Sequence, residues 1–169
     1  MIWDKKPVLA VFLIFLLLLY PNCVKYSFKG ALPSYLKTIS IPLFEDRTSW
    51  AGLREDMTNK VIDAFISDNS LRVIEDEKAA DLVLQGTISR IQEKYVAISG
   101  TEQVEQKQIW VYVSVKCINQ KTEKELWSGT LSDFDEVSGT ADLSLLNDAV
   151  SAAVDKIVED IVNKTIAAW

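Results

Sequence analysis

Gln108-Ile-Trp-Val-Tyr-Val-Ser-Val-Lys-Cys-Ile118 carries the strongest β-branched and aromatic content in the chain. Its apolar members, Ile109, Val111, Val113, Val115 and Cys117, fall on every second position. That is the period of a strand with one face against a core. Just upstream, Leu82, Leu84 and Ile88 share one face of a second strand that is predicted to run on through Tyr95. Val96 to Gln103, with Ser99 and Gly100, form the loop between the two. The strands are therefore expected to pair antiparallel as a hairpin.

Working outward, Ile39, Ile41 and Leu43 alternate with Thr38, Ser40 and Pro42, a half-buried strand whose proline points to an edge or a strand end. Phe44 to Gly52 reads as a loop. Leu53, Met57, Val61, Ala64 and Phe65 then take helical spacing, with Glu55 and Asp56 in the first turn, where carboxylates favour the helix dipole. Asp68, Asn69 and Ser70 end that helix, because their side chains compete for backbone partners. A short strand is expected at Leu71 to Glu75, a charged turn at Asp76 to Lys78 and a polar turn at Asn119 to Lys124. Glu125 to Phe134 reads as a further strand, and Asp135 to Asp142 break the pattern.

The C-terminal segment places Leu146, Val150, Ala153, Ile157 and Ile161 three and four residues apart, an amphipathic helix of roughly six turns. Each helix has one apolar stripe with which to cover a sheet. The element order predicts an α+β, two-layer sandwich, with the apolar stripes of the two helices covering the sheet.

The N-terminus has a different composition. Lys5 and Lys6 precede an unbroken apolar run of thirteen residues, Val8 to Tyr20, followed at once by Pro21, Asn22 and Cys23. The run suits the h-region of an export signal and is shorter than the ~20 residues a spanning helix needs. The chain therefore divides into a signal peptide at residues 1–22, a tether at 23–34 that contains Gly30 and Pro33, and a single domain at 35–169. Cys23 is the candidate lipidation site, although Pro21 and Asn22 stand where small residues usually precede such a cysteine and Tyr20 replaces the usual aliphatic residue. Two or more acyl chains would give stable anchoring, which a single chain does not.

Residues 23–169 carry 16 basic and 23 acidic side chains, a net charge of −7. That balance argues against a nucleic-acid partner, which calls for a basic stripe. Cys117 is the only other cysteine, so no internal disulfide is available, and its place in the alternating apolar row predicts a buried thiol.

Catalytic chemistry finds little support. The chain has no histidine, which removes Ser-His and Cys-His nucleophilic catalysis and the commonest metal ligand. Asp133, Asp135 and Gly139 only loosely follow a calcium loop, with the glycine displaced and the closing glutamate missing. Gly86, Gly100, Gly129 and Gly139 stand alone as turns or strand contacts, and no phosphate cradle is present. The acid pairs Glu45 with Asp46 and Asp133 with Asp135 read as solvated loop carboxylates. No catalytic residue, cofactor or metal site is predicted, and the expectation is a binding or assembly protein.

Several stretches in order resemble the LptE family of outer-membrane lipopolysaccharide-assembly lipoproteins. They are Cys23-Val-Lys-Tyr-Ser-Phe28, Ile39-Ser-Ile-Pro-Leu-Phe-Glu-Asp-Arg-Thr48, Leu53 to Phe65, Asn69-Ser-Leu-Arg-Val73, Ala80-Asp-Leu-Val-Leu-Gln-Gly86, Leu126-Trp-Ser128 and the closing helix that ends at Trp169. The resemblance implies a non-enzymatic lipoprotein that sits partly inside the LptD β-barrel and assists placement of lipopolysaccharide in the outer leaflet, with a fold of two amphipathic helices packed on one face of a mixed four- to five-stranded sheet. It also implies an outer-membrane destination, consistent with the lack of aspartate at residues 24 and 25. Trp50, Tyr95, Trp110, Tyr112 and Trp127 are candidate anchors for a barrel partner. Arg47, Arg90, Lys94 and Lys107 are candidate contacts for lipopolysaccharide phosphates, if they converge. The competing expectation is an exported scaffold lipoprotein of similar fold serving another envelope complex.

Overall fold

A computed structural model describes residues 33–96, 106–138 and 142–168. In chain order its elements are β1 (Thr38–Ser40), β2 (Glu45–Asp46), α1 (Leu53–Asp68), β3 (Arg72–Val73), β4 (Leu82–Val96), β5 (Gln106–Asn119), β6 (Lys124–Ser138) and α2 (Leu143–Ala167). The predicted signal segment, Cys23 with the tether up to residue 32, the loop from Ala97 to Gln103, Gly139 and Trp169 lie outside the described residues.

The expected hairpin is the centre of the sheet. β4 and β5 pair antiparallel from Leu82 with Asn119 to Val96 with Gln106, and β6 pairs antiparallel with β5 along its length. On the other side β1 lies parallel between β4 and β3, while β2 pairs parallel with β4 further along the same edge. The result is a mixed six-stranded sheet with two helices on one face, one more strand than the upper expectation.

The inner face carries Leu82, Leu84, Ile88, Ile109, Val111, Val113, Val115, Cys117 and Leu131, all buried. Fully burying a side chain of this kind is worth about 1.5–3 kcal/mol. Against that face α2 lays Val150, Ala153, Val154, Ile157 and Ile161, and α1 lays Leu53, Met57, Val61 and Phe65. The helices are tied to each other by Lys60, whose Nζ donates to Ser151 Oγ at 2.7 Å and lies 2.7 Å from Asp155 Oδ1.

Helix ends follow local chemistry. Gly52 precedes α1 at φ 76°, a conformation that costs glycine little. Asn69 closes it at φ 58° and donates its amide to the Phe65 carbonyl at 3.1 Å, within the predicted stop. Asp142 caps α2 by accepting from the Leu145 amide at 2.9 Å. This helix has 25 residues, about seven turns, and so starts earlier than its apolar stripe implied.

Four strand expectations are corrected. β1 is buried on both faces between two parallel neighbours, with Thr38 and Ser40 inside as well as Ile39. Pro42 follows the strand end, and Leu43 is left half exposed. The stretch assigned to loop contains β2, and the strand after α1 is reduced to the two residues of β3. β6 continues to Ser138, through the acids taken to break it. Asp133 and Asp135 pair with the inward-facing Val111 and Ile109, and Lys156 from α2 stands 3.8 Å and 3.3 Å from their carboxylates. Both acids stand on the helix side of the strand yet stay partly exposed, and a cation from the helix layer pairs with them.

Candidate functional site: the open face of the sheet

The helices cover one side of the sheet, so alternate residues of β4, β5 and β6 face the other way. A bulge at Ser89, between the paired positions Ile88 and Arg90, adjusts β4 so that Ile91 stays on the inner side and Arg90 and Lys94 turn outward. The Ser89 hydroxyl donates to the Tyr112 carbonyl at 3.0 Å. Three cross-strand rows then lie side by side: Arg90, Tyr112 and Ser132; Gln92, Trp110 and Phe134; Lys94, Gln108 and Glu136.

These rows form a cation–aromatic cluster. The Trp110 ring stacks on Phe134 at 4.6 Å between centroids and on Tyr112 at 6.1 Å. Arg90 Cζ lies 4.0 Å from the Tyr112 centroid, and Lys94 Nζ lies 3.7 Å from that of Trp110. Contacts of this kind contribute about 0.5–2 kcal/mol each. The Gln108 side chain accepts from Trp110 Nε1 at 3.1 Å and donates to Glu136 at 3.1 Å, which fixes the indole. Lys94 beside the Tyr112 phenol, with Arg90 next to it, draws the phenol's pKa below its ordinary value. Among the described residues neither Arg90 nor Lys94 takes part in an ion pair. Their charged groups lie against ring faces and beside the Tyr112 phenol.

Next to the cluster the same face is polar and low. Gln85, Thr87, Ser114, Ser128 and Thr130 line a shallow hollow, with the Ser114 and Thr130 hydroxyls 3.3 Å apart. Hydroxyls and amides there offer both donors and acceptors.

The sequence candidates divide into three groups. Arg90 and Lys94 converge, together with Trp110 and Tyr112. Arg47 and Trp50 instead line a groove at the free edge of β4 with Ser89 and Arg90, where Arg47 stands 3.7 Å from Glu45. Lys107 does not join them. It pairs with Tyr95 on the helix side of the sheet, 3.9 Å from Glu93, with its Nζ 5.1 Å from the Tyr95 ring, which is itself 68% exposed. Trp127 also faces the helix side, and its indole nitrogen is buried with no hydrogen-bond partner among the described residues.

Phe134, Gln108 and Glu136 complete the cluster and were not anticipated. The signal for them was pairing register: once β6 runs antiparallel to β5, the residue opposite Trp110 has to share its face. The acid pairs have ordinary roles. Asp46 accepts from the Thr48 amide at 2.7 Å in a turn, and Asp133 and Asp135 are engaged by Lys156. Among the described residues no three His, Cys, Asp or Glu side chains gather as metal ligands. Cys117 is buried, and desolvation pushes its thiol up to about 12.

The fold and this face define an α+β sandwich module that leaves one surface of its sheet free. Residues 36–165 match the family described as lipopolysaccharide-assembly, LptE, and the chain belongs to that family. No curated protein matches the sequence. Among solved structures, a hypothetical protein of Chlamydia trachomatis is similar with a TM-score of 0.61 at 12% identity, covering 79% of this chain and 97% of that one. A Xanthomonas campestris protein gives 0.59 at 12% identity, over 82% of this chain and 90% of that one. The PelC dodecamer subunit of Paraburkholderia phytofirmans gives 0.52 at 15% identity, over 77% and 91%. At these identities the likeness is one of fold.

Proposed function

We propose that this chain is a lipid-anchored lipoprotein of the outer membrane that binds an LptD-type β-barrel on the periplasmic side, and that its open sheet face contacts lipopolysaccharide during assembly. Membership of the LptE family supports the assembly role. The observation that carries the contact is the placement of Arg90 and Lys94 on the rings of Tyr112 and Trp110, on the face the helices leave free. Arginine presents paired donors suited to phosphate, and a lysine alongside adds a point charge. The hydroxyl-lined hollow next to it suits saccharide hydroxyls. The role is one of binding and placement, with no catalytic step.

In this reading Cys23 is a tether, residues 1–22 are removed on export, and residues 35–169 are the working domain. Arg47 and Trp50, at the rim of the same region, are secondary contacts. Tyr95 and Lys107 lie on the other side of the sheet and are proposed to meet the barrel.

Charge reversal tests the face. The double variant Arg90→Glu, Lys94→Glu should weaken binding of the purified protein to lipopolysaccharide at least about tenfold, since two charge-assisted contacts of about 1.5–3 kcal/mol are lost. Unchanged binding would remove the cluster from the proposal. A second reading, a scaffold lipoprotein of another envelope complex, draws on the likeness of fold to a PelC dodecamer subunit. Recovery of a different complex with no large barrel would favour it.

A further inference from the structure

β6 is the last strand of the sheet, and among the described residues its outer side has no partner strand. Fifteen residues of unpaired edge are a ready template for another strand. At Phe134 that template is interrupted.

Orientation comes first. The hydrogen bond from Ser89 places the Tyr112 carbonyl on the β4 side of β5. Trp110, two residues away, turns its main-chain groups the same way, because they alternate along an antiparallel strand. Its pair partner Phe134 therefore directs its own amide and carbonyl away from β5, toward the free edge. Both groups are already engaged. The Phe134 amide donates to Asp133 Oδ1 at 2.7 Å, and its carbonyl accepts from Lys156 Nζ at 2.6 Å. Lys156 comes from α2 on the helix side, so its stem must pass around the edge. Its ammonium also lies 3.3 Å from Asp135 Oδ1 and 5.7 Å from the Phe134 ring centroid.

We propose that Asp133 and Lys156 form a latch that closes the β6 edge at Phe134 to an incoming strand and so keeps the chain from self-association edge to edge. Exposed ion pairs contribute little to stability, about 0–1 kcal/mol. The value of this one lies in where it sits. A strand adding to β6 would have to displace an ammonium shared by a carbonyl and a carboxylate before it could pair at Phe134. Charged side chains set against sheet edges are a general means of blocking such pairing. The latch is independent of which ligand or barrel the protein serves.

Two measurements on the full chain in detergent test it. In the unaltered protein the Phe134 amide should exchange with solvent about 2- to 10-fold more slowly than those of Ser132 and Glu136, after correction for intrinsic rates, because those two share its orientation without a cap. Lys156→Met keeps the stem and removes the ammonium. In sedimentation velocity this variant should form dimers or larger species at concentrations where the unaltered protein and the distant control Lys78→Met remain monomeric. A Lys156→Met protein that stays monomeric with an unchanged melting temperature overturns the latch. Exchange at Phe134 as fast as at Ser132 and Glu136 also overturns it, and that result stands even if the variant folds poorly.

Discussion

Asp81 joins three segments that are distant in sequence. Its Oδ2 accepts from the Lys37 amide at 2.9 Å, the Thr38 amide at 3.1 Å and the Thr38 hydroxyl at 3.0 Å, while Oδ1 lies 2.7 Å from Lys121 Nζ. Burial disfavours its charged form, but the Lys121 ammonium and the Lys37 and Thr38 donors outweigh that and hold its pKa at about 2. An unfolded aspartate titrates near ~3.9, so this stabilisation is complete above that value and is lost as pH falls toward 2. Thermal melts of the unaltered protein should therefore drop over that acid window. Asp81→Asn should flatten that part of the drop and lower neutral-pH stability by about 1.5–3 kcal/mol. An unchanged acid profile in the variant would show that the carboxylate is not what ties the segments together. Nothing in Ala80-Asp81-Leu82 announced this role, because the partners lie 43 and 44 residues back and are brought near only by parallel pairing of β1 with β4. Cys117 was the opposite case: an alternating apolar row carries its own evidence of burial, and the thiol is buried where the row placed it.

At the scale of elements, legibility tracked hydrophobic period. The β4–β5 hairpin and both helices were readable because each has a single apolar face whose repeat is interrupted only in β4. Ile88 and Ile91 are spaced by three, and that break in the period of two is the trace that the Ser89 bulge leaves in the sequence. β2 left no such trace. It is two residues long and acidic, and it pairs with β4 directly after Phe44, which packs its ring over Gly86 of that strand. Gly86 was expected to be a turn or a strand contact, and the ring of Phe44, itself buried, fills the space a methyl group would need. Gly86→Ala should consequently destabilise by about 1–3 kcal/mol through overpacking, read as a lower urea midpoint. A midpoint equal to that of the unaltered protein would mean that the ring moves aside freely. The end of β6 was obscured for another reason, since Asp133 and Asp135 put polar, partly exposed side chains at the helix-side positions of the strand, where they pair with Lys156, 21 to 23 residues later.

At the scale of the molecule the described residues present two unlike sides, a sheet face whose apolar core is covered by helices and an open face carrying cations on aromatic rings. The fold class was readable from element order, and the family from motifs spread along nearly all of the predicted mature chain. The open face was only half readable. Arg90, Lys94, Trp110 and Tyr112 were named separately, but which charges converge depends on strand register and on a bulge, so Lys107 was named beside Arg90 and Lys94 although it lies on the opposite side of the sheet, and Phe134 was not named. The proposed anchor is a matter of chemistry at Cys23. Intact mass of membrane-extracted protein should correspond to a chain that starts at Cys23 with acyl groups added, and Cys23→Ser should release the protein from membranes; an unmodified mass would remove the anchor. The central claim is the barrel partner. The most direct test is affinity capture of the tagged full chain from native membranes, with mass identification of what accompanies it. The account predicts a large LptD-type β-barrel recovered in amounts comparable to the bait. Reproducible recovery of another envelope complex, with no such barrel present, would contradict it.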